Sequence, residues 1–539
     1  MGSDVLRWPV IGTWLRWRHA RMSLQIVLLA VAAAIVLHGL VGPPVAPANL
    51  ATVVTWVHYR GLLVVALLAA GNFFCTGCPF VLVRDAGRRV HAPARRWPRW
   101  LRTKWIGIAS FAAVLFAYEL FDLWALPAAT AYLILGYFGA ALLVDLVFTG
   151  ASFCKYVCPI GQFNFIAAPL SPLEIRVRQP SVCSACRSFD CIKGRPATLA
   201  PAPAQRGCEL RLFLPSKIGN VDCTFCLDCV HACPHDNVAL GVRTPGAELL
   251  DDRRRSGVGR LTGRRDIAAL AIVFVFAGLL NAFAMAAPSR GAQEWFAGAF
   301  STTSEAASLA AVFLIVLVAI PVLVVGGAAA MTRLLGGVRS LSIGGIATRY
   351  AYALVPVGFG VWLAHYGFHL LTGGLTIVPV VQSAAASLSG GPVLGEPLWT
   401  WVGMRPGAVF PIQIGLVLLG MMGSLALAHG VSERDHRGHV LAATAPWALA
   451  IAAIAAAAIW ILAQPMDMRG TILAGLRAGI DGSCWYWPSR GRRRRLATFT
   501  HTPGRRFRSC PTVPRDRTES RCGPIPTPPM TARRPDSSG

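Results

Sequence analysis

Nine apolar runs constrain this chain before any motif is read. A bilayer span needs ~18 or more consecutive residues with few charges. The runs fall at roughly 23–42, 52–73, 105–126, 128–149, 267–287, 306–330, 350–371, 408–428 and 440–463. A backbone in hydrocarbon must satisfy its own hydrogen bonds, so such runs become helices. The predicted fold is mainly α, a polytopic helical membrane bundle of about nine spans. Hydrophobic residues make up 54% of the chain and charged residues only 14%, which excludes an ordinary soluble protein. Between the fourth and fifth runs the character changes, and 151–265 reads as a polar insert. The expected organisation is a four-span membrane domain (1–150), the insert domain (151–265), a five-span membrane domain (266–464) and a basic, disordered tail (465–539).

The net charge of +26 is almost all arginine, since Lys104, Lys155, Lys193 and Lys217 are the only lysines. A nucleic-acid binder can be this basic, but here no basic face is interleaved with a recognition module. The charge sits in loops: the N-terminal segment, 84–104, the end of the insert, 333–349 and 430–439. The positive-inside rule puts all of these on the cytoplasmic side, and the insert with them. The apolar run from about Ser23 is too long for a signal h-region and lacks a clear cleavage site, so it is expected to be a retained first span. The tail after about Met468 is Pro- and Arg-rich without hydrophobic periodicity. It is either a basic arm or an extension that neither folds nor works, and the second reading is preferred. Cys484, Cys510 and Cys522 are therefore left out of the chemistry.

The other twelve of the 15 cysteines lie between Cys75 and Cys233. Their short spacings argue for cofactor ligands rather than disulfides, and for a reducing compartment. The densest stretch is DCTFCLDCVHACP, with Cys223, Cys226, Cys229 and Cys233 at C-x2-C-x2-C-x3-C and Pro234 straight after. That is the bacterial ferredoxin run, in which three thiolates hold one iron–sulfur cube and the fourth reaches a neighbouring cube. A zinc site uses short pairs separated by a longer loop. Upstream, SVCSACRSFDCIKG supplies Cys183, Cys186 and Cys191, and Cys208 stands alone. Eight ligands suit two four-iron clusters. Ferredoxin logic pairs Cys183, Cys186 and Cys191 with Cys233, and Cys223, Cys226 and Cys229 with Cys208. The bland alternative for Cys208 is a small buried hydrophobe. Two further pairs end spans two and four: Cys75 and Cys78 in FFCTGCPF, and Cys154 and Cys158 in FCKYVCPIGQ. They read as a third metal site, as a redox-active thiol pair, or as helix-ending turns that only pack.

The motifs CKYVCPIGQ and CTFCLDCVHACPHDN resemble those of the membrane polyferredoxins of the NapH, NosR and CcoG type, over about residues 50–245. The first pair departs from that pattern, with two residues between its cysteines rather than three. The additional spans make the layout look closer to larger FesM-like membrane-bound ferredoxins. The resemblance implies an inserted ferredoxin-like two-cluster domain with two [4Fe-4S] clusters. It also implies electron transfer between a quinone pool or membrane partner and another redox protein, without a chemical substrate. The expected location is the bacterial inner (cytoplasmic) membrane, with the clusters on the cytoplasmic side.

On the expected topology His38, His58, His365 and His369 fall in the outer halves of their spans, and His365 and His369 share a helix face at i and i+4. Ionisable groups in a membrane default to a functional reading. His58, His365 and His369 are candidates either for ligating a haem b or for binding a quinone headgroup, with Glu119 or Asp122 exchanging its protons. The bland reading is histidines bonded between helices. Arg176, Arg178, Arg187 and Lys193 attract an acidic electron carrier or form a solvated face. The expected function is a membrane-bound relay between a cytoplasmic redox partner and the quinone pool or a membrane redox complex. The alternatives are a quinone oxidoreductase in its own right and an assembly factor delivering metal or reducing equivalents.

Overall fold

The computed structural model describes residues 4–196, 204–337 and 340–466. Met1–Arg469 form one compact unit. The second, Gly470–Gly539, lies outside the described residues, as do the expectations for the tail and its three cysteines.

Eight helices are long and apolar enough to cross a membrane, by length and composition: α1 (Ala20–Val41), α2 (Leu50–Ala70), α4 (Pro127–Val147), α5 (Arg265–Ala284), α6 (Glu305–Leu335), α7 (Ile343–Ser389), α8 (Pro406–Asp435) and α9 (Val440–Ala463). The ninth, α3 (Trp105–Leu120), is shorter. Its apolar run was expected to continue to 126, but the chain turns at Asp122, whose φ is +46°. Pro127 then opens α4 from the first-turn position, where its missing N–H costs nothing. The chain is thus a polytopic helical bundle with the composition of a multi-pass membrane protein.

The middle of α7, Val355–Gly373, is buried along most of its length. Close approach to its neighbours depends on glycine. A Cβ at Gly360 would stand 2.7 Å from the Leu416 carbonyl oxygen of α8, and one at Gly420 2.5 Å from that of Pro356. Small residues here let two backbones pack directly. On the α5 side the Trp362 indole donates to the Phe274 carbonyl at 2.8 Å.

Three wide helical turns interrupt the regular pattern: Val53–Tyr59 in α2, Phe153–Val157 after α4, and Ile315–Ala319 in α6. The last lies just before Pro321, whose ring clashes with the ordinary turn and removes a donor. The other two carry His58 and Cys154, candidates from the sequence; π turns concentrate at functional sites.

The insert contains a two-stranded antiparallel sheet, β1 (Leu173–Val177) against β2 (Val238–Val242), with Leu173 opposite Val242 and Val177 opposite Val238. Both cysteine runs lie between these strands, on loops and on the short helices Pro180–Ala185, Asp190–Lys193 and Asp228–Ala232. The N-terminal segment folds onto it. Val5, Leu6 and Leu15 share a core with Ile175, Phe225, Leu227, Cys229, Val230 and Leu240. Asp4 pairs with Arg178 at 2.9 Å and Arg21 with Asp228 at 3.0 Å.

The arginine-rich segments gather around the insert. Arg206 pairs with Asp85 at 2.6 Å, Arg84 pairs with Glu209, and Arg434 donates to the Leu250 carbonyl at 2.7 Å. Arg349 reaches Asp435 at 2.9 Å. One end of the bundle therefore carries the insert and much of the loop charge.

Candidate functional site

The twelve described cysteines are all free thiols, and they fall into three groups. Cys183, Cys186, Cys191 and Cys233 line one small cavity with Phe189, Phe213 and Leu214 among its walls. Asn237 clamps this group. Its backbone N–H donates to the Cys233 sulfur at 3.4 Å and its amide to the Cys183 sulfur at 3.3 Å. The same side chain is tied to Gln179 at both ends, which fixes its orientation. Cys186 is half-buried, and the backbone N–H of Phe189 holds its thiol below the usual range. Burial pushes the Cys191 thiol up to about 11.

Cys208, Cys223, Cys226 and Cys229 lie within electrostatic reach of one another. Burial dominates here, pushing Cys208 to about 11 and Cys226 and Cys229 well above the usual range. Phe225 and Leu227 adopt left-handed backbone, at φ +54° and +62°, and Phe189 does the same in the first group at +53°. That conformation costs a bulky residue ~1–2 kcal/mol. Turns of this kind aim successive N–H groups into one concavity, the nest found at many iron–sulfur sites.

The third group joins the insert to the bundle. Cys75, Cys78, Cys154 and Cys158 line a cavity of about 70 Å³, and Cys223 of the second group lines the same cavity. The Asn164 amide donates to the Cys75 sulfur at 3.1 Å, and the Gly161 N–H to the Cys158 sulfur at 3.3 Å. Gln162, fully buried, directs its amide at the carbonyls of Cys154, Lys155 and Cys158. Two side chains from the end of α2 grip the ferredoxin-type run itself. Asn72 donates to the Cys223 carbonyl and Thr76 to the Phe225 carbonyl, each at 2.6 Å. Burial pushes the Cys75 and Cys158 thiols up to about 12. Left alone these thiols stay protonated at neutral pH, so a metal binding them must displace protons.

Among the described residues, no three His, Cys, Asp or Glu side chains converge tightly enough to grip one metal ion. A zinc site would hold every sulfur ~2.3 Å from a single point. The thiols of the first and third groups instead border cavities. The first two sets, with their N–H-rich left-handed loops, fit a four-iron cluster each.

The histidines divide. His58 is occupied, with Nδ1 3.0 Å from the Val53 carbonyl and Nε2 2.9 Å from that of Gly374. His365 and His369 stand edge to face, ring centroids 5.0 Å apart, both buried. Among the described residues neither His365 nitrogen has a hydrogen-bond partner, nor does Nε2 of His369. Next to them lies Arg60 of α2. The Arg60 guanidinium sits 4.9, 4.9 and 4.7 Å from the ring centroids of Trp56, Tyr118 and Tyr366, and donates to the Tyr118 hydroxyl at 3.0 Å. Glu119 is within electrostatic reach of Tyr118 and Tyr366. Asn164, Asn237, Asn72 and Thr76 were not foreseen. Their only sequence signal is proximity to cysteine, in CPIGQFN, CPHDN and NFFCTGCP.

A stretch of 93 residues is 31% identical to the Escherichia coli (strain K12) protein named "Putative electron transport protein YccM", covering 17% of this chain and 22% of that protein. The chain thus matches about a fifth of that relative's length. No family model matches, and no solved structure does.

Proposed function

We propose that this chain is a membrane-bound iron–sulfur electron-transfer protein, relaying electrons between a cytoplasmic redox partner and the quinone pool or a membrane redox complex. One observation carries the reading: Cys223 belongs to the ferredoxin-type run and also lines the cavity of Cys75, Cys78, Cys154 and Cys158. The second group of thiols therefore meets the third at the ends of α2 and α4. The printed name of the matched protein, electron transport, agrees with that role. Bound at Cys183, Cys186, Cys191 and Cys233 and at Cys208, Cys223, Cys226 and Cys229, two [4Fe-4S] clusters would supply one-electron redox capacity. The protein's own residues would fix and tune them: Asn237 by hydrogen bonds to sulfur, the left-handed loops by their N–H groups, and the N-terminal segment by excluding water. Arginine bias supports a cytoplasmic position for the insert.

A quinone headgroup is the occupant proposed for the region of His365 and His369. Their unbonded nitrogens sit beside Arg60 and Tyr366, a set able to bind two carbonyl oxygens and exchange protons. Haem fits less well, since axial ligands come from opposite faces of the ring while His365 and His369 share one helix and His58 is bonded to main chain.

The test is low-temperature electron paramagnetic resonance on dithionite-reduced membranes containing the protein, with iron and haem quantified alongside. Two interacting four-iron signals and no haem are expected. Zinc in place of iron, with no cluster signal, would sink the proposal.

A further inference from the structure

Across Lys104 from the juxtamembrane thiols lies a second cavity, of about 360 Å³, bounded by the loop before α3, the turn after α4, the insert and the start of α5. Its wall carries Arg96, Arg102, Lys104, Lys155, Arg211 and Arg264, against two carboxylates, Glu209 and Asp222. Those carboxylates are already engaged. Glu209 pairs with Arg84 and Arg88, and Asp222 with Lys155. Arg264 has its own partner in Asp266, at 2.7 Å. Arg96, Arg102, Lys104 and Arg211 have no carboxylate partner among the described residues. For the three arginines this costs little, because they are exposed.

Lys104 is different. It is only 4% exposed. Its ammonium donates to the Lys155 carbonyl at 2.8 Å and stands 3.7 Å from the centre of the Phe165 ring. One accepting oxygen cannot satisfy three donors, and a buried cation without a counter-charge is costly. Burial, with Lys155 and Arg264 nearby, outweighs the pull of Asp222 and Asp266 and brings this ammonium down to about 7. An anion in the cavity would restore the proton.

We propose that this cavity is a phosphate-binding site, whose occupant is the headgroup of an anionic phospholipid. Guanidinium forks and a buried ammonium arriving from several sides suit the oxygens of a phosphate better than one flat carboxylate. The headgroup source follows from position. The cavity opens where α3 and α5 begin their apolar stretches, and the stacked rings of Trp97 and Tyr156, 5.2 Å apart, flank it. Basic pockets at the ends of membrane helices take phospholipid headgroups in this way.

Native mass spectrometry of the cluster-loaded protein, purified from membranes in mild detergent, reads the retained lipid directly. Wild type is expected to keep one phosphatidylglycerol or cardiolipin, and Lys104→Met to lose it by about tenfold. The double variant Arg102→Gln with Arg211→Gln alters only exposed side chains, so its matching loss cannot be blamed on misfolding. If no lipid is retained but inorganic pyrophosphate raises the wild-type melting temperature and not that of the double variant, the phosphate site stands and its source is soluble. Equal lipid retention in all three proteins, with no response to pyrophosphate, overturns the proposal.

Discussion

The two thiol groups of the insert use the same residues in different surroundings. Cys183 and Cys191 stand on short helices with no buried residue, and Cys186 is half-buried. Cys229 stands on a helix whose Asp228, Val230 and Ala232 are also buried, beneath the N-terminal segment. The first group contains no buried thiol, whereas Cys229 of the second is buried. The second in turn touches what the first does not, the thiol cavity at the ends of α2 and α4. The difference gives the two groups an order in space, with the second next to the bundle.

Four measurements would break or sharpen that contrast. The largest effect is expected from Cys229→Ser. On the proposed reading it removes one of two clusters, on the order of half of the iron, while the signal of the first group persists in metal analysis and resonance spectra. Loss of both signals would mean that the groups are one cooperative unit. Next, the metal-free protein should be alkylated first at Cys186. Thiolate is the reactive form, and at pH 8 Cys186 supplies far more of it than Cys191, whose thiol lies near 11. Allowing for the weaker nucleophilicity of the more acidic thiol, Cys186 should lead by roughly tenfold, read by peptide mass mapping. Third, Arg21→Ala leaves Asp228 buried without its partner, at a cost of ~1–3 kcal/mol. The N-terminal segment should then be cut faster by trypsin at Arg16 and Arg18, with the first group unaffected. The smallest structural change is Asn72→Ala with Thr76→Val. Each removes a hydrogen bond worth ~1 kcal/mol, iron should be unchanged, and only electron delivery to the membrane should slow.

Much of this arrangement could be read from the residues alone. Eight of the nine apolar runs fall on helices long and apolar enough to cross a membrane, because length and hydropathy can be read without reference to any partner. The dense cysteine spacings likewise located the candidate ligands. The lone Cys208 was harder, and its neighbourhood with Cys223, Cys226 and Cys229 followed from ligand counting rather than from local pattern. Other features left almost no trace. Val5 and Leu6 meet Leu240 across the whole N-terminal membrane domain, and nothing in a stretch so rich in Trp and Arg foretells that contact. The three rings around Arg60 come from three different helices, so no periodicity in any of them encodes the cage. The shortened α3 was missed because Phe121 and Leu123 remain apolar past the turn at Asp122.

The docking of the N-terminal segment also bears on how the protein is made. Val5, Leu6 and Leu15 are synthesised well before Leu240 of β2, with which they share a core. Helices α1, α2, α3 and α4 are synthesised in between. Until that point the loops of Cys226 and Cys229 lack their cover. Residues made early are thus seated late. On the proposed reading, their arrival ends the interval during which a cofactor can reach the inner thiols.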